Sequence, residues 1–163
     1  MTRERFIELV KEEQGSLRRF LLGLCGGDKV EADDMAQDAL MRAYVASGSF
    51  LGLSKFRTWL FRIAYNCYLD RKRKYLPEKV SIEALVVKGL SSDSAADDSF
   101  KYQLLYKTLE RMPEKEKACL VLHYFEDLPI KEISTVLNIP AGTVKYHLST
   151  GRNRLKQYIS YEG

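Results

Sequence analysis

Phe6, Leu9, Val10, Leu17, Phe20, Leu21 and Leu24 recur at intervals of three and four along the first 24 residues of the chain. That spacing lays the apolar side chains along one stripe of a 3.6-residue helix, whereas a strand needs intervals of two. The same periodicity returns through most of the 163 residues, so an all-α fold is expected. Helices are predicted over 3–24, 30–46, 55–75, 100–111, 114–126, 130–137 and 141–159. The breaks between them fall at CGGD (25–28), at ASGSFLGLS (46–54), at Met112-Pro113, at Asp127 to Pro129 and at Asn138 to Pro140. Each carries glycine, proline or a turn-forming polar residue.

One stretch escapes the pattern. LSSDSAADDSF, 90–100, has no large apolar residue over SSDSAADDS, so 77–99 reads as a flexible acidic linker. It holds 2 Lys+Arg against 5 Asp+Glu, while residues 1–76 hold 14 against 10 and residues 100–163 hold 10 against 7. Two basic blocks therefore flank an acidic connector, an arrangement that suits two small helical domains meeting a polyanion. Neither block is of enzyme size, and the sequence offers no nucleophile-base pair, phosphate loop or metal cluster. Cys25, Cys67 and Cys119 form no CxxC pair and read as buried free thiols; His123 and His147 lack ligand spacing, so no metal and no cofactor is expected. No apolar run reaches the roughly 20 residues of a membrane span, and the charged start MTRERFIELVKEE is unlike a signal peptide, so a cytoplasmic protein without membrane insertion is expected.

KFRTWLFRIAYNCYLDRKRKY, 55–75, concentrates the chemistry of the first block. At 100° per residue, Phe56, Trp59, Leu60, Ile63, Ala64 and Cys67 share a core stripe. Phe61, Tyr65 and Tyr68 fall on another side together with Arg57 and Lys72. Rings interleaved with cations are how proteins hold unstacked bases. An aromatic stripe that simply packs under a neighbouring helix has the same spacing. Likewise the run Arg71, Lys72, Arg73, Lys74 suits either a phosphate path or a solvated helix end that complements the helix dipole.

In the second block, IKEISTVLNIPAGTVKYHLSTGRNRLKQYI, 130–159, has the pattern of a helix-turn-helix. Ile130, Ile133 and Leu137 bury the first helix, Asn138-Ile139-Pro140 makes the turn, and Val144, Leu148 and Leu155 anchor the second. Its outward positions are Thr143, Lys145, Tyr146, His147, Ser149, Thr150 and Arg152. They mix phosphate binders with groups able to bond base edges in a major groove.

These motifs, in this order, resemble bacterial RNA polymerase sigma factors of the extracytoplasmic-function (ECF) group of the sigma-70 family. The likeness rests on DDMAQDALMRAY (33–44), similar to region 2.2; FRTWLFRIAYNCYLDRKRK (56–74), similar to regions 2.3 and 2.4; and IPAGTVKYHLSTGRNRLK (139–156), similar to region 4.2. It implies a region 2 helical bundle over 1–76 and a region 4 helix-turn-helix domain over 100–163. It also implies a non-enzymatic factor that binds core RNA polymerase at the β′ clamp helices and β flap, recognises the -35 and -10 promoter elements, and promotes opening of the DNA. On the matching positions, Asp34, Gln37, Asp38 and Arg42 would dock on the clamp helices. Loop 46–54 would take up a flipped base, and Arg57, Arg62, Tyr65, Asn66 and the cluster Arg71, Lys72, Arg73 would line the -10 strand. Lys145, Tyr146, Ser149 and Thr150 match positions facing the -35 groove, with Thr143 and Arg152 on phosphates. An anti-sigma factor is the further partner implied.

The chain departs from the common pattern at Tyr65, in place of an arginine, and at Tyr146, His147 and Thr150-Gly151. Gly151 inside a helix costs about 1 kcal/mol relative to alanine. The competing readings are a helix-turn-helix regulator that works without polymerase, and an interaction protein whose helical halves clasp a partner.

Overall fold

The computed structural model describes the backbone of residues 1–75 and 97–162, and side chains over 1–74 and 102–160. Among these residues the regular structure is helical. Helix α1 spans Arg3–Leu24, α2 Lys29–Val45 and α3 Phe56–Tyr75, with a single 3-10 turn at Ser47–Ser49. Helix α4 spans Asp97–Glu110, α5 Glu114–Leu120, α6 Ile130–Leu137 and α7 Ala141–Glu162. Most of the expected linker lies outside the described residues, and its last three, 97–99, open α4.

Local chemistry accounts for the ends. The Thr2 hydroxyl accepts from the amide of Arg5 at 3.1 Å and starts α1. Asp28 does the same for α2 through the amide of Glu31 at 3.1 Å. Between them Gly26 and Gly27 sit at φ 62° and 84°, a region open to glycine at little cost. Helix α6 stops at Asn138, φ 56°, whose neighbour Ile139 donates its amide to the Ser134 carbonyl at 3.2 Å. This is the left-handed ending that asparagine tolerates, and it makes the tight turn of the helix-turn-helix. The expected helix 114–126 is not uniform: beyond Leu120 it widens into a π-turn, Val121–Phe125, and ends at Asp127, φ 54°.

Helix α2 faces its neighbours with Ala32, Ala36, Ala39 and Ala43, all buried, so that α1 and α3 approach closely. Leu17, Phe20, Leu21 and Leu24 of α1 complete this side. In the C-terminal half, Ile133, Leu137, Val144 and Leu148 are buried as the helix-turn-helix pattern requires, while Ile130 and Leu155 are half-buried. The two halves do not keep separate cores. Their buried apolar side chains form one cluster, joined where α3 meets α6 and where α1 meets the π-turn.

Gly151 has a packing role. A Cβ there would stand 3.2 Å from Leu120 Cδ1 and 3.5 Å from Glu116 Cβ, so the glycine lets α7 lie close on α5. Gly151→Val is expected to destabilise the fold by about 1–3 kcal/mol through overpacking, read as a lower urea midpoint with an unchanged m-value.

Candidate nucleic-acid interface

Helix α3 is buried on two sides. Phe56, Leu60, Ala64 and Cys67 are buried as their stripe predicts, while Trp59 and Ile63 are half-buried. Trp59 packs on Phe50 of the preceding loop at 5.1 Å and on Phe56 at 5.7 Å. The second side corrects the idea of a free aromatic stripe: Phe61, Tyr65 and Tyr68 are 0%, 2% and 3% exposed. Phe61 stacks on Phe20 of α1 with centroids 5.0 Å apart, and Tyr65 stacks on Tyr68 at 6.3 Å. The Tyr68 hydroxyl donates to Glu114 Oε2 at 2.5 Å and accepts from Lys117 Nζ at 2.8 Å, both groups of α5. Burial pushes the Tyr65 phenol up to about 12.

The cations beside these rings are paired as well. Arg57 Nη2 donates to the Glu126 carbonyl at 2.6 Å and lies 3.4 Å from its carboxylate. Lys72 pairs with Glu114. Arg71 bridges Asp34 at 3.0 Å and Asp38 at 2.6 Å. Arg62, Asn66 and Arg73 differ, being exposed and without an ion pair among the described residues. They fall along one outer line of α3, and Arg62 also borders a cleft of about 440 Å³ lined by Ser134, Thr135, Asn138, Ile139 and Pro140 of the helix-turn-helix.

On α7, Lys145, Tyr146, Ser149 and Arg152 are exposed, and Tyr146 reaches 64%. Arg152 Nη1 donates to the Tyr124 hydroxyl at 3.1 Å. Thr143, His147 and Thr150 are half-buried. The Thr150 hydroxyl is turned inward, 3.0 Å from both Glu116 Oε1 and the Tyr146 carbonyl. Buried Glu116 also accepts from Arg154 Nε at 2.9 Å, so it ties α5 to α7 on two successive turns. Tyr146 leans edge-on against the His147 ring at 5.7 Å.

Asp34, Gln37, Asp38 and Arg42 are all exposed on α2. Arg42 pairs with Asp70 of α3 at 2.8 Å, so this face is laced to the end of α3 by reciprocal ion pairs. Met41 and Val45 of α2, and Leu51 and Leu53 of the loop that follows, expose 68%, 83%, 78% and 90% of their surface. Leu51 and Leu53, large apolar residues in a loop of glycines and serines, were visible in the sequence but carried no periodic signal. Large apolar side chains left this exposed are candidates for a contact surface.

Sequence reasoning missed the groups that join the halves. Lys117 is buried, and its Nζ donates to the Leu24 carbonyl at 2.9 Å and to Tyr68, with Glu114 at 3.4 Å. Burial lowers its pKa although the Glu114 charge opposes this. Glu126 is also buried, accepting two bonds of 2.8 Å from Arg19; burial nevertheless raises its carboxyl above the usual range. Glu114 moves the other way: burial would raise it, but bonds from Lys72 and Tyr68 and the Lys117 charge hold it below that range. Apart from Glu114 and Lys117, three residues apart on α5, these pairs have no local signature: Arg19 and Glu126 are 107 positions apart.

The three cysteines are buried and unpaired, with Cys25 and Cys119 pushed up to about 12 by burial. Among the described residues no group of three or more His, Cys, Asp or Glu side chains is placed to hold a metal ion. No helix there is long and apolar enough to cross a membrane.

A helical bundle is followed by a helix-turn-helix, and comparison with known proteins defines the class. Residues 9–75 match Sigma-70 region 2, and residues 102–155 match Sigma-70, region 4. The chain is 35% identical over 145 residues to the ECF RNA polymerase sigma factor SigW of Bacillus subtilis, covering 82% of this chain and 78% of that one. It is 30% identical to SigM of the same organism, covering 91% of each. In fold it is similar to the sigma factor RpoE of Bartonella quintana, solved in complex with the anti-sigma factor NepR: TM-score 0.77, 23% identity, 96% of this chain and 98% of that one. CnrH, solved with the cytosolic domain of CnrY, is similar to the same degree, TM-score 0.77 at 20% identity over 99% and 92%. The chain belongs to the ECF RNA polymerase sigma factors of the sigma-70 family.

Proposed function

We propose that the chain directs core RNA polymerase to promoters, with α7 reading the -35 element and α3 with loop 46–54 engaging the -10 strand. The observation that carries this is that regions 2 and 4 each present an exposed cationic or polar line on a rigid helix: Arg62, Asn66 and Arg73 on α3, and Lys145, Tyr146, Ser149 and Arg152 on α7. Exposed side chains on a preformed helix reach phosphates and base edges without refolding. The α2 face of Asp34, Gln37, Asp38 and Arg42, with Met41 and Val45 beside it, is the surface for the clamp helices of the polymerase. The factor performs no covalent chemistry of its own and works in the cytoplasm. Since RpoE was solved in complex with the anti-sigma factor NepR, an anti-sigma factor is the expected inhibitor.

Purified protein added to core polymerase should form open complexes on a cognate promoter, detected by permanganate reactivity of unpaired thymines. Duplex binding without polymerase and no open complex at any promoter would instead support a polymerase-independent regulator. At the -35 element, Lys145→Ala or Tyr146→Ala is expected to reduce discrimination among single-base variants by about 1–3 kcal/mol at the base it reads. Unchanged discrimination in a competition binding assay would place specificity on other residues.

A further inference from the structure

Arg152 is held differently from most arginines of the chain. Arg19, Arg42, Arg71 and Arg154 each meet a carboxylate within 3.0 Å. Arg152 makes no ion pair among the described residues, and its Nη1 donates instead to the neutral hydroxyl of Tyr124 at 3.1 Å. A carboxylate offsets the charge of the arginine that it binds, whereas a phenol leaves that charge whole.

Tyr124 is presented by the π-turn Val121–Phe125, whose first two side chains, Val121 and Leu122, are buried while Tyr124 keeps 51% of its surface exposed. The turn is braced from behind. The Leu128 amide donates to the Leu122 carbonyl at 3.0 Å, and His123 Nδ1 donates to the Leu128 carbonyl at 3.2 Å, which puts a proton on Nδ1. The His123 ring then meets the Tyr124 ring edge-on, centroids 4.9 Å apart. Such π-turns are rare in helices and are frequent at functional sites.

We propose that Tyr124 and Arg152 form a clamp for one phosphate of duplex DNA, at the edge of the groove that α7 reads. Tyr124 is the positioning residue for the guanidinium. Its oxygen accepts from Arg152, so its own O–H is free to donate outward, and hydrogen bonding to a cation strengthens that donor. The pair thus offers a neutral and a charged donor side by side to the oxygens of a single phosphodiester. Lys145, Ser149 and Arg152 follow one another at i, i+4 and i+7, so the clamp continues the exposed line of α7 about 10 Å beyond Lys145. A phosphate contact carries no sequence information but fixes the register in which Lys145 and Tyr146 meet base edges. The proposal rests on the assignment of α7 to the -35 element.

The test uses holoenzyme formed from core polymerase and the full-length chain, bound in the cold, where the duplex stays closed. Each phosphate of the -35 element is replaced in turn by a neutral methylphosphonate. With the unaltered chain one replacement should weaken binding about tenfold, the loss of one charge-assisted contact. Tyr124→Phe removes a single exposed oxygen. It should bind the unmodified promoter about tenfold more weakly and respond to that same replacement by about twofold or less. Arg152→Ala should behave likewise and lower the slope of log affinity against log salt by about 0.9. The double variant should be no more than about twofold weaker than Arg152→Ala, because the two groups act as a unit.

The response to a methylphosphonate is a ratio of affinities for one protein sample, so a partly unfolded fraction leaves it unchanged. A Tyr124→Phe protein that keeps the tenfold response, or single losses that multiply to about a hundredfold in the double variant, overturns the clamp. The two assignments fail separately. If no methylphosphonate in the -35 element affects the unaltered holoenzyme, the reading of α7 falls and the clamp with it. If one does and Tyr124→Phe responds equally, only the clamp falls.

Discussion

Phe61→Ala is expected to lower the free energy of unfolding by about 3–5 kcal/mol, the range for removing a buried aromatic ring. The side chain has no exposed surface, stacks on Phe20 at 5.0 Å and 20°, and carries the Arg57 guanidinium 5.3 Å from its centroid. Truncation leaves a cavity between α1 and α3 and strips Arg57 of a partner. Arg62→Ala, one residue on and exposed, should stay within about 0.5 kcal/mol. Urea denaturation of the two variants side by side makes the comparison. A Phe61→Ala protein of unchanged stability but impaired in promoter opening would return Phe61 to the strand surface.

Lys117→Ala is the second large effect, about 3 kcal/mol or more. The substitution opens a cavity at the seam, leaves the Leu24 carbonyl without its donor and removes one of the two groups bonded to the Tyr68 hydroxyl. Lys117→Met fills most of the volume and removes the buried charge, so it should cost clearly less than alanine. Thermal melts of both, with amide hydrogen exchange at the C-terminal end of α1, separate the volume effect from the hydrogen bond. If methionine were as damaging as alanine, the ammonium itself would be the stabilising element.

Helix positions were legible because a helix is specified locally. The 3–4 spacing, the Thr2 and Asp28 caps, Gly26-Gly27 and Asn138 each act within a few residues, and the observed bounds of α1 and α6 coincide with those expected. The helix-turn-helix was legible for the same reason, with Val144 and Leu148 facing in and Lys145, Tyr146 and Ser149 facing out. Thr150 shows where this fails. Its angle on α7 is outward, yet its hydroxyl is drawn in by Glu116, from a helix 34 positions earlier.

The sequence by itself therefore determined a helical chain in two basic blocks, a helix-turn-helix in the second, and an aromatic face on α3 distinct from its core stripe. Only the tertiary structure decided what that face meets. Periodicity gives the angle at which Phe61, Tyr65 and Tyr68 leave the helix but says nothing of what lies across from them. The groups across from them, Phe20, Glu114 and Lys117, come from α1 and α5, up to 49 positions away. Whether a ring on a helix is surface or core depends on that opposing element, and the approach of distant elements is a property of the packed chain.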